Sequence, residues 1–345
     1  HLRLFFVAIT RAKTHLYLST HQFYQSGKEL EELPFLAGAD ADKKPEKSSQ
    51  EFKPLEVLLT DWESRHAPPF AGVEESHLFP LVKDYKMSAS VLNDFVNVHK
   101  GPQHVLEYRL LRFPTPKLAV SAFGTAVHGT VQAIYAHLKR SQTLPDLAWV
   151  QETFRILLEK EQLLPADYEK YLYRGKNLWD VYVPEKLSEF AEDHLSEISF
   201  ASQGVQIGEA KLSGKIDRII LSGDTAEVTD FKTAKAVKSW DIKGKKDQLD
   251  SYARQLMFYK ILIERSRDYG DYTVFKGDLE YMEPVNGQFV SLPLYFEDED
   301  VKKLERLIEV VYDKIVNLEF PDVTSYQSMQ DGTDKFIDDL LEGRV

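Results

Sequence analysis

The sequence predicts an α/β protein, and three observations carry that expectation. Leu212–Lys235, LSGKIDRIILSGDTAEVTDFKTAK, is two short apolar runs around a Ser-Gly-Asp-Thr turn. GDLEYMEPVNGQFVSLPLYF is a second hairpin, with Asn286-Gly287 as the strongest short-range turn signal in the chain. Helical apolar spacing runs through GTAVHGTVQAIYAHLKR, SYARQLMFYKILIERS and EDVKKLERLIEVVYDKIVN.

In chain order, Leu2–Thr20 reads as a strand, a Thr-Arg-Ala-Lys turn and a second strand, HLYLST. GADADKKPEKSSQEFKP, residues 38–54, is polar, charged and almost free of apolar residues, the composition of a flexible linker. A short helix is expected in LEVLLTDWESRH, and Pro68-Pro69 then breaks the chain. A domain boundary is placed near residues 81–85. SASVLNDFVNVH opens a helix with Ser88 or Ser90 as its N-cap. Residues 145–198 read as helix-rich, punctuated by Pro165 and Pro184. Strands are expected at 204–221 and 225–233, and the tail after Phe320 is acidic. There is no internal repeat.

At 345 residues the chain is too long for one typical domain, and 43% hydrophobic content is enough for a substantial core. No apolar run approaches the ~18 residues of a membrane span. The opening HLRLFFVAITRAK has too short an apolar run for a signal peptide and lacks a small-residue cleavage site. A chain that begins with His reads as a piece of something longer. The absence of cysteine excludes disulfides, thiolate zinc sites, iron–sulfur clusters and cysteine nucleophiles, and points most simply to the cytoplasm. A net charge of −12 argues against a generic nucleic-acid coat protein, so any contact with nucleic acid has to be local.

The first hairpin carries an aspartate in each strand. If Gly223-Asp224 is a two-residue turn, Ser222 pairs with Thr225, and the same register sets Asp217 opposite Asp230 on one face, with Cβ atoms ~5 Å apart. Two bare carboxylates at that distance repel by roughly 3 kcal/mol at an effective dielectric of about 20. A divalent cation between them removes that penalty, and magnesium commonly uses one or two carboxylates. Lys232, two residues after Asp230, points the same way, where an ammonium can orient or deprotonate an attacking water. A solvated strand face with an Asp/Lys pair has the same spacing. His128 lies one turn after Gly124 on an expected helix, and Gln255 and Tyr259 share a helical face four residues apart. Each of these alone is equally a core or surface residue.

A basic segment adjoins the hairpin. Lys232, Lys235, Lys238, Lys243, Lys245, Lys246 and Arg254 stand against Asp241, Asp247 and Asp250. The KGKKDQ loop within it is suited to holding phosphates through counterion release, or is simply a solvated loop. Trp240 and Tyr252 can stack on bases or pack in the core.

Taken in order, GTAVH, GKIDRI, VTDFKTAK and QLMFY resemble the PD-(D/E)XK nuclease superfamily in its RecB-like branch, and MSASVLNDFV resembles the opening of such domains. The resemblance covers Met87–Pro321 and implies a restriction-endonuclease-like core, a mixed central sheet flanked by helices. It implies His128, Asp217, Asp230 and the Phe231 backbone carbonyl as metal ligands, Lys232 beside the hydrolytic water, and Gln255 and Tyr259 steadying the site. Glu197 matches a common upstream acid. Relatives with a four-cysteine iron–sulfur cluster have one Cys before a Pro early in the domain and three near its end. Here Gly101-Pro102 stands at the early place and no Cys follows Phe320, so the cluster-free type is expected.

FFVAITRAKTHLYLS, Phe5–Ser19, resembles the last conserved motif of UvrD/Rep-type superfamily 1 helicases, in which the arginine, here Arg11, reaches the ATP γ-phosphate. No G-x-x-x-x-G-K-[ST] loop exists in the chain, so ATP binding is expected only in a longer parent. The combined expectation is a motor remnant (1–20), a partly flexible linker (21–83) and a nuclease domain (84–345). This would be a Mg2+- or Mn2+-dependent nuclease acting on single-stranded DNA or DNA ends, at the carboxyl end of a helicase–nuclease of DNA repair. Its partners would be DNA, the upstream motor and a second helicase or nuclease subunit, with no membrane. The alternatives are a silent nuclease fold that grips DNA or a partner, and an RNA-processing factor with the same chemistry.

Overall fold

The computed structural model describes residues 75–345. The strands read in Leu2–Thr20, the linker at 38–54, the LEVLLTDWESRH helix, the Pro68-Pro69 break and Arg11 lie outside the described residues.

Helices α1 (Glu75–Val82), α2 (Ala89–Val96) and α3 (Gly101–His104) lead into a π-helical turn, Val105–Leu110. Ser88 caps α2 by accepting from the Val91 amide. Three longer helices follow: α4 (Ala119–Ser141), α5 (Leu147–Lys160) and α6 (Pro165–Lys186). Asp146 caps α5 through the Trp149 amide at 2.8 Å. Pro165 opens α6 at the first-turn position where its missing N–H costs nothing.

The strands are β1 (Leu195–Ser199), β2 (Gln206–Ile207), β3 (Ala210–Lys211), β4 (Lys215–Ser222) and β5 (Thr225–Lys232). Helix α7 (Lys246–Glu264) then crosses over to β6 (Thr273–Val285), which turns into β7 (Gln288–Tyr295). Helices α8 (Asp298–Val316) and α9 (Gly332–Leu341) complete the chain. Acids in the first turn of α8, Asp298, Glu299 and Asp300, suit the helix dipole. Its buried stripe of Leu304, Leu307, Ile308, Val311 and Ile315 has the spacing of one packed face.

The main sheet has the order β1-β4-β5-β6-β7. β5 and β6 are parallel, joined through α7 as parallel strands require, and the other neighbours are antiparallel. The sheet is therefore mixed and flanked by helices, as the fold class expected. Its first hairpin runs in register from Ser222↔Thr225 to Arg218↔Thr229, the register read from the Gly223-Asp224 turn. Gly223 supplies the positive φ that such a turn needs at its first position. Val285↔Gln288 closes the second hairpin over Asn286 and Gly287, both at positive φ.

Two cores lie against the sheet. α2, α7, α8 and α9 pack with Ile219, Val228 and Leu279. α4, α5 and α6 pack around Tyr135, Phe154 and Trp179, joined from the sheet by Phe231 and Met282. Burying each such aromatic contributes roughly 2–3 kcal/mol. Gly175 of α6 lies so close to Phe154 that an added Cβ would be 2.0 Å from the ring.

The structure departs from the sequence reading in two places, β1 and the strand at 204–221. β1 lies inside the segment read as helix-rich, because LSEIS is a short, half-polar strand at the sheet edge. The strand read at 204–221 is broken into β2, β3 and β4. Gly214 passes so near α7 that a Cβ there would meet Leu262 at 2.6 Å. The acidic tail folds as α9, whose buried Phe336, Ile337 and Leu340 dock it on the first core. Among the described residues no helix is long and apolar enough to cross a membrane.

Candidate metal centre

The centre forms where the β4–β5 ladder opens. Beyond Arg218↔Thr229 the two strands no longer pair. Asp217 instead accepts the Phe231 amide on Oδ2 at 2.8 Å. That bond fixes the Asp217 carboxylate one step past the last rung. Adjacent strand residues point to opposite faces, so Asp217 and Asp230 face the α7 side while Arg218 and Phe231 face the α4–α6 side.

His128 comes from the middle of α4. Its Nδ1 is 3.4 Å from Asp217 Oδ2 and 4.0 Å from Glu197 Oε1. One ligand atom from each of His128, Glu197 and Asp217 lies within 4.8 Å of the others. Gly124, one turn before the histidine, faces the Thr233 hydroxyl at the exit of β5. Glu197 sits between the pairs Ser196↔Arg218 and Ile198↔Ile216, which sets it across from Asp217. Its φ of 56° is left-handed, a conformation that costs a non-glycine residue of order 1 kcal/mol or more and is often kept at functional positions. Lys215 pairs with its second oxygen.

Asp230 is buried beside this trio and is held by α7. Gln255 Nε2 donates to its Oδ1 at 2.8 Å, and the Tyr259 hydroxyl donates to the same oxygen at 3.0 Å. Gln255 and Tyr259 reach it together because they are one helical turn apart. Lys232 Nζ stands 2.7 Å from Asp230 Oδ2, donates to Gln255 Oε1 at 3.0 Å and lies 4.2 Å over the Tyr252 ring. The ammonium is the partner of Oδ2, and no neutral donor among the described residues reaches that oxygen.

The electrostatics follow from this crowding. Burial opposes charge on His128, but the hydrogen bond it donates to Asp217 and the charges of Asp217, Asp230 and Glu197 outweigh it and raise the imidazole to about 9. Burial pushes the Asp230 carboxyl up, Lys232 opposes, and Asp217 adds to the rise. Burial disfavours the Lys232 ammonium, yet Asp230 more than offsets this and holds the amine up. Without a metal, the protein uses an imidazolium and an ammonium to tolerate three converging carboxylates.

A hard divalent cation fits this donor set. It would find carboxylate oxygens, one imidazole, and a buried oxygen of Asp230 that only the Lys232 ammonium meets. Of the residues singled out in the sequence, His128 and Asp217 are in direct contact. Asp230, Lys232, Gln255 and Tyr259 form the adjoining network, and the Phe231 amide links the two groups. Asp230 is not among the three residues whose ligand atoms lie mutually closest; Glu197 is. Glu197 had little signal in sequence, an acid in a short polar strand, and only its register across from Asp217 marks it.

The basic segment divides. Lys235, Lys238 and Lys243 are exposed and Lys245 half-exposed, and none has an ion-pair partner among the described residues. Lys246 is instead engaged by Asp250 and Asp334, and the Arg254 side chain is committed to Asn93 Oδ1 at 2.8 Å. Trp240 donates to the Pro293 carbonyl at 2.7 Å, and Tyr252 lies beneath Lys232. These four are tied into the fold.

Residues 86–328 match the family described as the PD-(D/E)XK nuclease superfamily. No curated protein matches the chain. A solved structure titled "Crystal structure of SSO0001" is 17% identical, over 63% of this chain and 84% of that one, with a TM-score of 0.25, a likeness too slight to carry an argument.

Proposed function

The chain belongs to the PD-(D/E)XK nuclease superfamily, and from that membership we propose that it is a divalent-metal-dependent deoxyribonuclease that hydrolyses phosphodiesters in unpaired DNA. The observation that carries the reading is the convergence of His128, Glu197 and Asp217 beside the Asp230–Lys232–Gln255–Tyr259 network. Asp217, Asp230, His128 and the Phe231 carbonyl are proposed to hold the ion, with Glu197 as a further carboxylate. Magnesium or manganese suits these oxygen-rich donors. When bound, the cation supplies Lewis acidity to a phosphate oxygen and acidity to a water.

The chain's own residues do the rest. The Phe231 amide keeps Asp217 turned inward, while Gln255 and Tyr259 fix one oxygen of Asp230 and leave the other to Lys232. Lys232, held as an ammonium between Asp230 and Gln255, is placed to orient the attacking water and to counter charge building on the phosphate. The exposed lysines 235, 238 and 243 provide a phosphate path next to the site.

The RecB-like assignment rests on the order GTAVH, GKIDRI, VTDFKTAK, QLMFY. Placement at the carboxyl end of a helicase–nuclease rests on Phe5–Ser19 with Arg11, and it brings the DNA-repair role, the upstream motor and the cytoplasmic setting with it. The test is cleavage of a labelled single-stranded oligonucleotide. Wild-type protein is expected to cut with magnesium or manganese and not with chelator. If Asp230→Ala or Lys232→Ala cuts as fast as wild type, the assignment of this site is wrong.

A further inference from the structure

The segment Leu111–Leu118, LRFPTPKL, is exposed at every residue. Both of its ends are tied to elements that also carry residues of the metal centre. At its start, Arg109 is paired to the buried Asp94 of α2. The neighbouring Asn93 donates to the Ser251 carbonyl at 2.9 Å and accepts from Arg254. Arg254 precedes Gln255, which touches Asp230. At its end, the segment enters α4 at Ala119, about 7–8 Å along the helix from Gly124. Gly124 lies against Thr233, the residue after Lys232. The strap therefore joins the two helices, α7 by way of α2, and α4, that supply the side chains around the centre.

Its chemistry is specific. Pro114 and Pro116 stiffen it. The Phe113 amide donates to the Glu107 carbonyl at 2.9 Å, which fixes the residue, yet Phe113 is 51% exposed. Phe113 stands edge-on to Tyr108 at 6.4 Å and 86°, and Tyr108 lies 4.6 Å from His104. The result is a surface row of three rings. Between residues 98 and 118 four cations, Lys100, Arg109, Arg112 and Lys117, stand against Glu107 alone, in a chain of net charge −12. Arg109 and Lys100 are spent on Asp94, and Lys117 on Glu161, but Arg112 has no partner among the described residues. An exposed Phe113 held at a fixed position against the half-buried Tyr108, with a guanidinium that has no partner among the described residues, matches an unpaired nucleic-acid strand, whose bases offer π-faces and whose backbone offers phosphates.

We propose that this strap is a strand-binding site. Phe113 and Tyr108 stack bases of the unpaired strand and Arg112 takes a phosphate, feeding the scissile bond to the centre. The proposal rests on the nuclease reading for its placement, but its test does not depend on cleavage. Fluorescence anisotropy of a labelled thirty-nucleotide oligothymidine, titrated with the full chain in chelator, reads binding alone. Phe113→Ala is expected to weaken it roughly fivefold to a hundredfold. Phe113→Trp should retain it, and a blunt duplex of the same length should be insensitive to either change. Phe113 is exposed, so the alanine variant is expected to melt as wild type does. If Phe113→Ala binds the oligonucleotide as tightly as wild type, or loses duplex affinity by the same factor, the strap is not a strand-binding site. If binding depends on Phe113 while the wild type cuts nothing with any divalent metal, the strap stands and the nuclease reading falls.

Discussion

The two faces of the β4–β5 hairpin bury charge in opposite ways. On the α4–α6 face, Arg218 donates to Glu280 at 2.9 Å and to Thr229 at 3.0 Å, while Tyr182 donates to the other oxygen of Glu280 at 2.7 Å. One cation meets one anion and both carboxylate oxygens are satisfied. On the α7 face, three carboxylates, Asp217, Asp230 and Glu197, gather around His128 and Lys232, and one buried oxygen of Asp230 is met by the Lys232 ammonium alone. The same two strands, one residue out of step, thus carry a closed network and an open one. A closed buried network holds structure, since every charge has spent its interactions. An open one stores an affinity for something else.

The largest expected effect is on the open face. Asp230→Asn should lower metal-dependent cleavage about a thousandfold or more, the several kcal/mol that a catalytic metal supplies. Its melting temperature in chelator should hold or rise, because the cost of burying the Asp230 carboxylate, which outweighs its pairing with Lys232, is removed. An oligonucleotide assay and thermal scans check both halves. A melting temperature that collapsed would make the open face structural and erase the contrast.

Next is the closed face. Arg218→Met leaves Glu280 buried without its cation and should cost about 3–5 kcal/mol in urea unfolding. Arg218→Met combined with Glu280→Gln should recover part of that loss. If the single change left stability untouched, the network would not be the clamp described.

How much of this was legible beforehand depended on the range of the cause. The hairpin register is local: a two-residue turn with Gly first dictates the pairing from Ser222↔Thr225 to Arg218↔Thr229, and the ladder opens one pair short of the expected Asp217 and Asp230, where the Asp217 side chain takes the Phe231 amide. The Asn286-Gly287 hairpin was legible for the same reason. Glu197 was weak because its strand is short, polar and at an edge, and its position depends on a left-handed backbone that glutamate rarely adopts. The Arg218–Glu280 pair spans 62 residues and leaves no periodic trace. Charge counting identified a basic segment, but Lys246 and Arg254 are taken by Asp334 and Asn93, far away in sequence.

Two smaller effects sharpen the comparison further. Gln255→Ala releases Asp230 from one donor and Lys232 from its acceptor. Loss of such a supporting contact typically costs 10- to 100-fold in metal affinity or activity. Cleavage rates across a manganese titration would show it, and an unchanged half-saturation point together with an unchanged rate would remove Gln255 from the site. In the basic segment, Lys235→Ala and Lys243→Ala should each reduce the slope of log affinity against log salt by about 0.7 for single strands. Lys246→Ala, already paired, should leave that slope alone. Equal effects from all three would mean that ion pairing within the fold does not decide which lysines meet phosphate.

The central claim is that the surplus of carboxylates on the α7 face is a place for a cation. Isothermal calorimetry of metal-free protein with manganese tests it directly, with Asp217→Asn alongside. The wild type is expected to bind the ion with heat that depends on buffer ionisation, because the charged His128 must give up a proton to coordinate. Asp217→Asn should bind at least tenfold more weakly and melt somewhat lower in chelator, because the charged His128 loses the carboxylate that holds its proton. Equal affinity in the two proteins, or no binding to the wild type, would contradict the account.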